Sequence, residues 1–192
     1  RSTPSVGDLD NDGYLEIAIN SYSLDTYVLR YDGTLVSGWP KQKKSTDFYS
    51  SIIGDLDGNG NLDILSQAGN GFTPSNLDHG GVYAWDKNGN LLSSFPKVIE
   101  KGPSTIVIED LDGNKKIDLI SSSYSDYDFK NKESKKRGSI YVWESNQVYN
   151  EKSLPWPMFM QNVQRTGFYK NNIDITKPKI ESYSPPNEYN FQ

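Results

Sequence analysis

The stretch "DLDNDGYLE", Asp8 to Glu16, decides how this sequence is read. Asp stands at its first, third and fifth positions, Gly at the sixth and a carboxylate at the ninth. Charges at this density do not belong in an apolar core, and the spacing is too regular for an idle loop. Nearly the same pattern returns as "DLDGNGNLD" (Asp55 to Asp63) and as "DLDGNKKID" (Asp110 to Asp118). The loops start at residues 8, 55 and 110, spacings of 47 and 55, and repeats of that period point to a propeller or a solenoid.

Around each loop the text repeats as well. A short β-rich run precedes it ("PSVG", "SSIIG", "STIVIE") and a second follows ("LEIAIN", "LDILSQ", "IDLISS"). In the first of these, Leu15, Ile17 and Ile19 alternate with Glu16, Ala18 and Asn20, the period of a strand. Leu65 and Ile120 place apolar residues on the other face too, as expected where both sides of a sheet are covered. A third run ends in an aromatic and an acid: "VLRYD", "VYAWD" and "IYVWE". Tyr31, Trp85 and Trp143 are thereby aligned and expected to pack between units. Asp32-Gly33 and Asn88-Gly89 are hairpin signals, and a fourth run leads to "GWP", "SFP" or "PWP". Four strands per unit is the content of a propeller blade. The expected fold is therefore all-β: three four-stranded antiparallel blades, part of a larger propeller, since three blades do not close a ring. Residues 154–169 break the repeat as a terminal segment, so that 1–169 form one domain. Residues 170–192, polar and proline-containing, read as a linker towards a further domain.

Composition narrows the function. The chain of 192 residues has a formal net charge of -5, which argues against a nucleic-acid partner. Ten of the 25 acidic residues occupy the three loops, so the acidity is local and the rest is slightly basic. Cysteine is absent, which removes any disulfide framework. No apolar run is long enough to span a bilayer. The pattern is already under way at Arg1, so any targeting segment is expected upstream.

The loops read as cation sites. Calcium takes about six to eight oxygen ligands from carboxylates, amides and backbone carbonyls. The first loop offers Asp8, Asp10, Asp12, the Tyr14 carbonyl and Glu16. The second offers Asp55, Asp57, Asn59, the Asn61 carbonyl and Asp63, and the third Asp110, Asp112, Asn114, the Lys116 carbonyl and Asp118. Oxygen ligands without His or Cys disfavour zinc and copper. An EF-hand starts in the same way but needs a Glu at position 12, where Ile19, Ser66 and Ser121 stand. Plain Asx turns are the alternative, and three copies in register with a repeat weigh against it.

The pattern D-x-D-x-D-G-x-x-[DE] between two β runs resembles the FG-GAP (VCBS-type) repeat, the calcium-binding blade of integrin α-subunit propellers and of many microbial surface proteins. "WPMFMQNVQRTG", Trp156 to Gly167, is similar to the segment that follows such repeats in secreted prokaryotic proteins. The resemblance covers residues 4 to about 169. It implies a β-propeller, one Ca²⁺ per loop (three sites), an extracellular location on the cell surface or in secretion, and adhesion or ligand binding. The third repeat departs from the pattern at Lys115, in place of the turn glycine, and at Glu109, in place of the preceding glycine.

Catalysis has little support in these residues. There is no G-x-S-x-G elbow, and His79, the single histidine, sits in "NLDHGGV". The expected function is a calcium-stabilised binding module without catalytic residues. The alternative is the non-catalytic or substrate-binding propeller part of a secreted enzyme, a polysaccharide lyase or a protease. The remaining blades are expected from the same precursor or another chain. A protein or carbohydrate ligand is expected on the face opposite the calcium loops, where the connections vary in length. Phe72, His79, Tyr127, Phe129 and the run from Lys130 to Arg137 are the candidate contacts there.

Overall fold

The computed structural model describes residues 2–22, 24–43, 49–69, 79–100, 105–123, 127–128, 133–134, 138–167 and 169. These residues form an all-β structure with no α-helix. The first sheet runs in chain order through β1 (Ser5–Gly7), β2 (Glu16–Asn20), β3 (Asp25–Leu29) and β4 (Lys41–Gln42), all antiparallel. The second repeats it with β5 (Ile52–Gly54), β6 (Asp63–Ala68), β7 (His79–Trp85) and β8 (Lys97–Glu100). The third holds β9 (Val107–Glu109), β10 (Lys116–Ser122) and, beyond a separate hairpin of β11 (Tyr127–Asp128) and β12 (Glu133–Ser134), β13 (Ile140–Val148). The acidic loops join the first strand of each sheet to the second. The proposed linker, 170–192, lies outside the described residues.

Two units have the expected four strands; the third, among the described residues, has three. The difference traces to turn chemistry. After β3 and β7 the chain reverses through Gly33 (φ 83) and Gly89 (φ 77). Their N–H groups donate to Arg30 O and Asp86 O, both at 2.9 Å. No glycine occurs between Ser139 and Thr166, so β13 continues for nine residues with a bulge opposite Lys116 and Asp118. The fourth strands also follow "GWP" and "SFP" rather than leading into them. "PWP" takes a different seat. The Ile53 N–H donates to Trp156 O at 2.9 Å, Asp55 N–H to Ser153 O at 2.9 Å, and Ile108 N–H to Pro157 O at 2.9 Å. The terminal segment thus ties the free edges of β5 and β9 together.

The three sheets stack in chain order by a rule that repeats. Ala18 and Val28 of the first sheet pack with Ile64 and Trp85 of the second. On the opposite face of the second sheet, Leu65, Val82 and Ala84 pack with Ile108 and Leu119 of the third. Every residue of β6 is therefore buried. A buried Lys43 joins the first pair of sheets, its Nζ donating to Asn20 Oδ1 (3.0 Å) and Ser66 Oγ (2.8 Å). The sheets do not close on themselves, so the described residues do not form a complete propeller.

Register decides which side of β2 is buried, and it corrects the expected place of Tyr31. In β2 the fully buried side is Glu16, Ala18 and Asn20, while Ile17 and Ile19 are half-buried on the face that no sheet covers among the described residues. Burial is possible for Asn20 because Thr26 and Ser66 donate to its Oδ1 and its own amide donates to Tyr49 O. Tyr31 is not the counterpart of Trp85 and Trp143. Ile17 pairs with Leu29 as Ile64 pairs with Trp85 and Leu119 with Trp143. Leu29 is the equivalent residue, and Tyr31 stands in the turn, 63% exposed.

Candidate functional site

The three loops share one hydrogen-bond scheme. The first carboxylate gathers backbone N–H groups from further along the loop. Asp8 accepts from Asp12 (3.0 Å) and Gly13 (3.1 Å), Asp55 from Gly58 (2.8 Å) and Gly60 (3.0 Å), and Asp110 from Lys115 (3.0 Å). The ninth-position carboxylate reaches back to the second residue. Leu9 N–H donates to Glu16 at 2.8 Å, Leu56 N–H to Asp63 at 2.8 Å and Leu111 N–H to Asp118 at 2.9 Å. The fifth position accepts from the seventh N–H: Asp12 from Tyr14, Asn59 from Asn61, Asn114 from Lys116. To turn all these groups inward, the fourth and sixth positions are left-handed. They are Asn11 (φ 60) and Gly13 (φ 90), Gly58 (φ 72) and Gly60 (φ 83), Gly113 (φ 77) and Lys115 (φ 64). Lys115 thus holds a conformation that glycine occupies at its two counterparts.

The scheme brings three carboxylates together in each loop: Asp8, Asp10 and Glu16; Asp55, Asp57 and Asp63; Asp110, Asp112 and Asp118. In each set, one oxygen per residue lies within 4.8 Å of the others, an arrangement that could hold a metal ion. The deepest member is Asp63, fully buried. Its Oδ2 accepts the Leu56 N–H while its Oδ1 has no partner. Burial pushes its carboxyl up to about 7 against that hydrogen bond, with Asp57, Asp55 and Asp86 adding repulsion. Glu16 is raised for the same reasons, burial first, then Asp10, Asp12 and Asp8. A buried carboxylate oxygen without a donor, facing two further carboxylates, is costly unless a cation or a proton stands beside it. The donor set is hard oxygen throughout, which fits calcium rather than a softer metal.

The other predicted residues are placed on the same loops. Asp12 is outside the close trio, with Oδ1 on the Tyr14 N–H. Asn59 and Asn114 bring amide oxygens to the fifth position and donate their side-chain N–H to Asp57 and Asp112. The seventh residues contact the chain leaving the third strand: in the first two loops the partner stands in the turn, in the third it is Glu144, still within β13. Tyr14 stacks on Tyr31 with ring centroids 4.6 Å apart, Lys87 Nζ donates to Asn61 Oδ1 at 3.0 Å, and Lys116 pairs with Glu144 at 2.7 Å. Of the contacts expected on the face opposite the loops, Phe72, Phe129, 130–132 and 135–137 lie outside the described residues. His79 opens β7 opposite Glu100, and Tyr127 opens β11.

Sequence reasoning missed the apolar residues of the loop. Leu9 and Leu56, at the second position, pack with residues of the following sheet, whereas Leu111 is 58% exposed. Leu62 and Ile117, at the eighth, pack with the preceding one. Leucine at position two and leucine or isoleucine at position eight recur in every copy, a signal that was there to be read beside the acids.

No curated protein matches this chain. Among solved structures it is similar to the V. cholerae biofilm matrix protein Bap1, with 19% identity, 76% of this chain and 28% of that one covered, and a TM-score of 0.34. It is also similar to a candidate exo-beta-1,3-galactanase from Bifidobacterium bifidum s17, with 16% identity, 77% and 54% covered, and a TM-score of 0.31. The chain therefore spans about a quarter of the first protein's length and about half of the second's. No helix among the described residues is long and apolar enough to cross a membrane. Over residues 8–66, which contain the first two acidic loops, the chain matches the model of the FG-GAP-like repeat, the repeat its loops resemble in sequence.

Proposed function

We propose that this chain is a calcium-stabilised, extracellular β-propeller module for adhesion or ligand binding, with one Ca²⁺ in each acidic loop. The observation that carries this reading is Asp63 Oδ1, buried and without a partner beside Asp55 and Asp57. Asp55, Asp57 and Asp63 would hold the ion there, and the corresponding trios in the other loops. The role of the ion is structural: it cancels the repulsion among ligands and closes the loop between two strands. Binding rather than catalysis is inferred, because the gathered carboxylates are accounted for as ligands and none is left as a general acid or base.

Further sheets are part of the same reading. The first sheet leaves Ile17, Ile19, Tyr27 and Leu29 half-buried on its free face. The third leaves Ile140 and Val142 exposed on its own. By the stacking rule, one free face is of the kind that receives a preceding sheet and the other of the kind that receives a following one. A continuation of the array, from the same precursor or another chain, would cover both.

Chelation tests the calcium reading. Extracellular calcium modules bind at about 10⁻⁴ to 10⁻³ M. At ten times the dissociation constant each site adds about 1.4 kcal/mol of stability. Melting should rise by several degrees between EDTA and millimolar CaCl₂. A melting temperature indifferent to both refutes the assignment.

A further inference from the structure

Two departures from the repeat, Glu109 and the terminal segment, meet in one place. They line a cavity of about 600 Å³, together with Tyr149, Pro157, Gln161 and Tyr169. We propose that this cavity is a binding site for a neutral oligosaccharide.

The cavity is within the size range of small-ligand sites. Glu109 stands where the first two units have Gly7 and Gly54. At Gly54 a β-carbon would come within 2.6 Å of Leu154 Cδ2, so a side chain is excluded there. In the third unit the position is open, and a carboxylate fills it. Glu109 accepts the Asp110 N–H at 3.2 Å and a hydrogen bond from the Tyr149 hydroxyl. Tyr169 also lines the cavity, its hydroxyl taking the Asp8 N–H.

The wall contributed by the terminal segment is fixed before any ligand arrives. Met160, Gln161 and Arg165 all have left-handed backbones (φ 55, 75 and 54). That conformation is unfavourable for three non-glycine residues and persists where surroundings enforce it. Met160 O accepts from Asn162 and Gly167, and the Asn162 side chain is spent on Gln161 Oε1, Thr166 Oγ1 and the Thr166 N–H. Gln161, which lines the cavity, is held by that bond through its Oε1.

The chemistry selects the ligand class. Two acids, Glu109 and Glu151, and one lysine, Lys152, line the cavity, a balance that does not suit phosphate or another anion. Carboxylate and amide groups offer both acceptors and donors, which suits hydroxyls better than an aliphatic ligand. Tyrosine rings and proline edges supply flat apolar surface for the C–H face of a sugar ring. A neutral polyol with apolar faces meets all three conditions.

The test is saturation-transfer NMR on the whole chain in CaCl₂ with lactose, cellobiose, maltose and chitobiose, each up to about 10 mM, which reaches millimolar dissociation constants. Two variants accompany it: Glu109→Gly, which installs the residue of the other units, and Gln161→Gly, which suits the left-handed backbone there. At least one sugar should bind, and each variant should weaken it about tenfold, as expected for a lost charge-assisted or amide hydrogen bond. Near-UV circular dichroism should stay unchanged. If none of the four sugars binds, or if binding survives both substitutions in folded protein, the proposal is overturned.

Discussion

Asp63→Asn is the substitution that bears most directly on the second loop. Without metal, burial holds the Asp63 carboxyl near 7, against an ordinary value of 3.8. The folded chain therefore keeps a proton that the unfolded chain releases between these values. Protons bound to the folded state in excess mean that stability falls as pH rises. A shift of about three pKa units at about 1.36 kcal/mol each bounds the loss at ~4 kcal/mol between pH 4 and pH 7. Glu16 is also raised and adds in the same direction. In EDTA, thermal melts followed by circular dichroism should show the melting temperature falling from pH 5 to pH 8. Millimolar CaCl₂ should restore it most at the upper end, where the ligands are deprotonated. Asparagine can still accept the Leu56 N–H that Asp63 Oδ2 takes at 2.8 Å, yet it neither titrates nor offers a charge to a cation. Asp63→Asn should flatten the slope in EDTA and remove part of the response to calcium. A melting temperature in EDTA that is level from pH 5 to pH 8 would refute the reasoning, as would a slope unchanged in the variant.

Lys115 is left-handed at φ 64 where Gly13 and Gly60 serve the other loops. The strain is about 1–2 kcal/mol, part of which is returned by glycine's freer unfolded chain. Lys115→Gly should therefore raise stability by roughly 0.5–1 kcal/mol and tighten calcium at the third loop; calorimetric titration and denaturant melts that show a loss would contradict this. Leu111, Ile140 and Val142 are exposed on the face that would receive a following sheet. The chain should associate with itself as concentration rises, and Leu111→Ser with Val142→Lys should make it monomeric at unchanged melting temperature. Sedimentation that shows a lone monomer of the unsubstituted chain at about 100 µM, well into the range of weak association, would count against this.

Much of this was readable because an acidic repeat is local. A carboxylate two residues from the next, closed by a left-handed glycine, needs no distant partner to be recognised, and strands on either side follow from alternation and turn residues. What failed depended on distant pairing. Tyr31 and Trp85 look aligned because each precedes an aspartate, but register is set by Ile17 and Ile64 across the sheet, which select Leu29 and Trp85. The buried side of β2 carries Glu16 and Asn20 because a loop N–H and a polar cluster around Lys43 satisfy them, which periodicity cannot reveal. The seat of "PWP" between β5 and β9 is likewise a matter of which edges remain free.

The two leucines of the loop give calcium a consequence beyond the loop itself. In the second copy, Leu56 packs into the cluster shared with the third sheet, and Leu62 into the cluster shared with the first. Between them lie Asp57, Gly58, Asn59, Gly60 and Asn61, whose path is set by N–H groups bound to Asp55, Asp57 and Asn59. A cation that fixes the carboxylates therefore also fixes the separation and direction of the two apolar anchors. Such coupling makes the unit of stability a loop together with the sheets on both sides, as in repeat arrays where neighbours stabilise each other. Stripping the metal should then weaken the contacts between sheets before the strands within a sheet. Hydrogen exchange would report that order as loss of protection at the Ile53–Trp156 pairing and of Ile108 on Pro157 O ahead of the β6–β7 ladder. The opposite order would mean that the ion braces its own turn and nothing further.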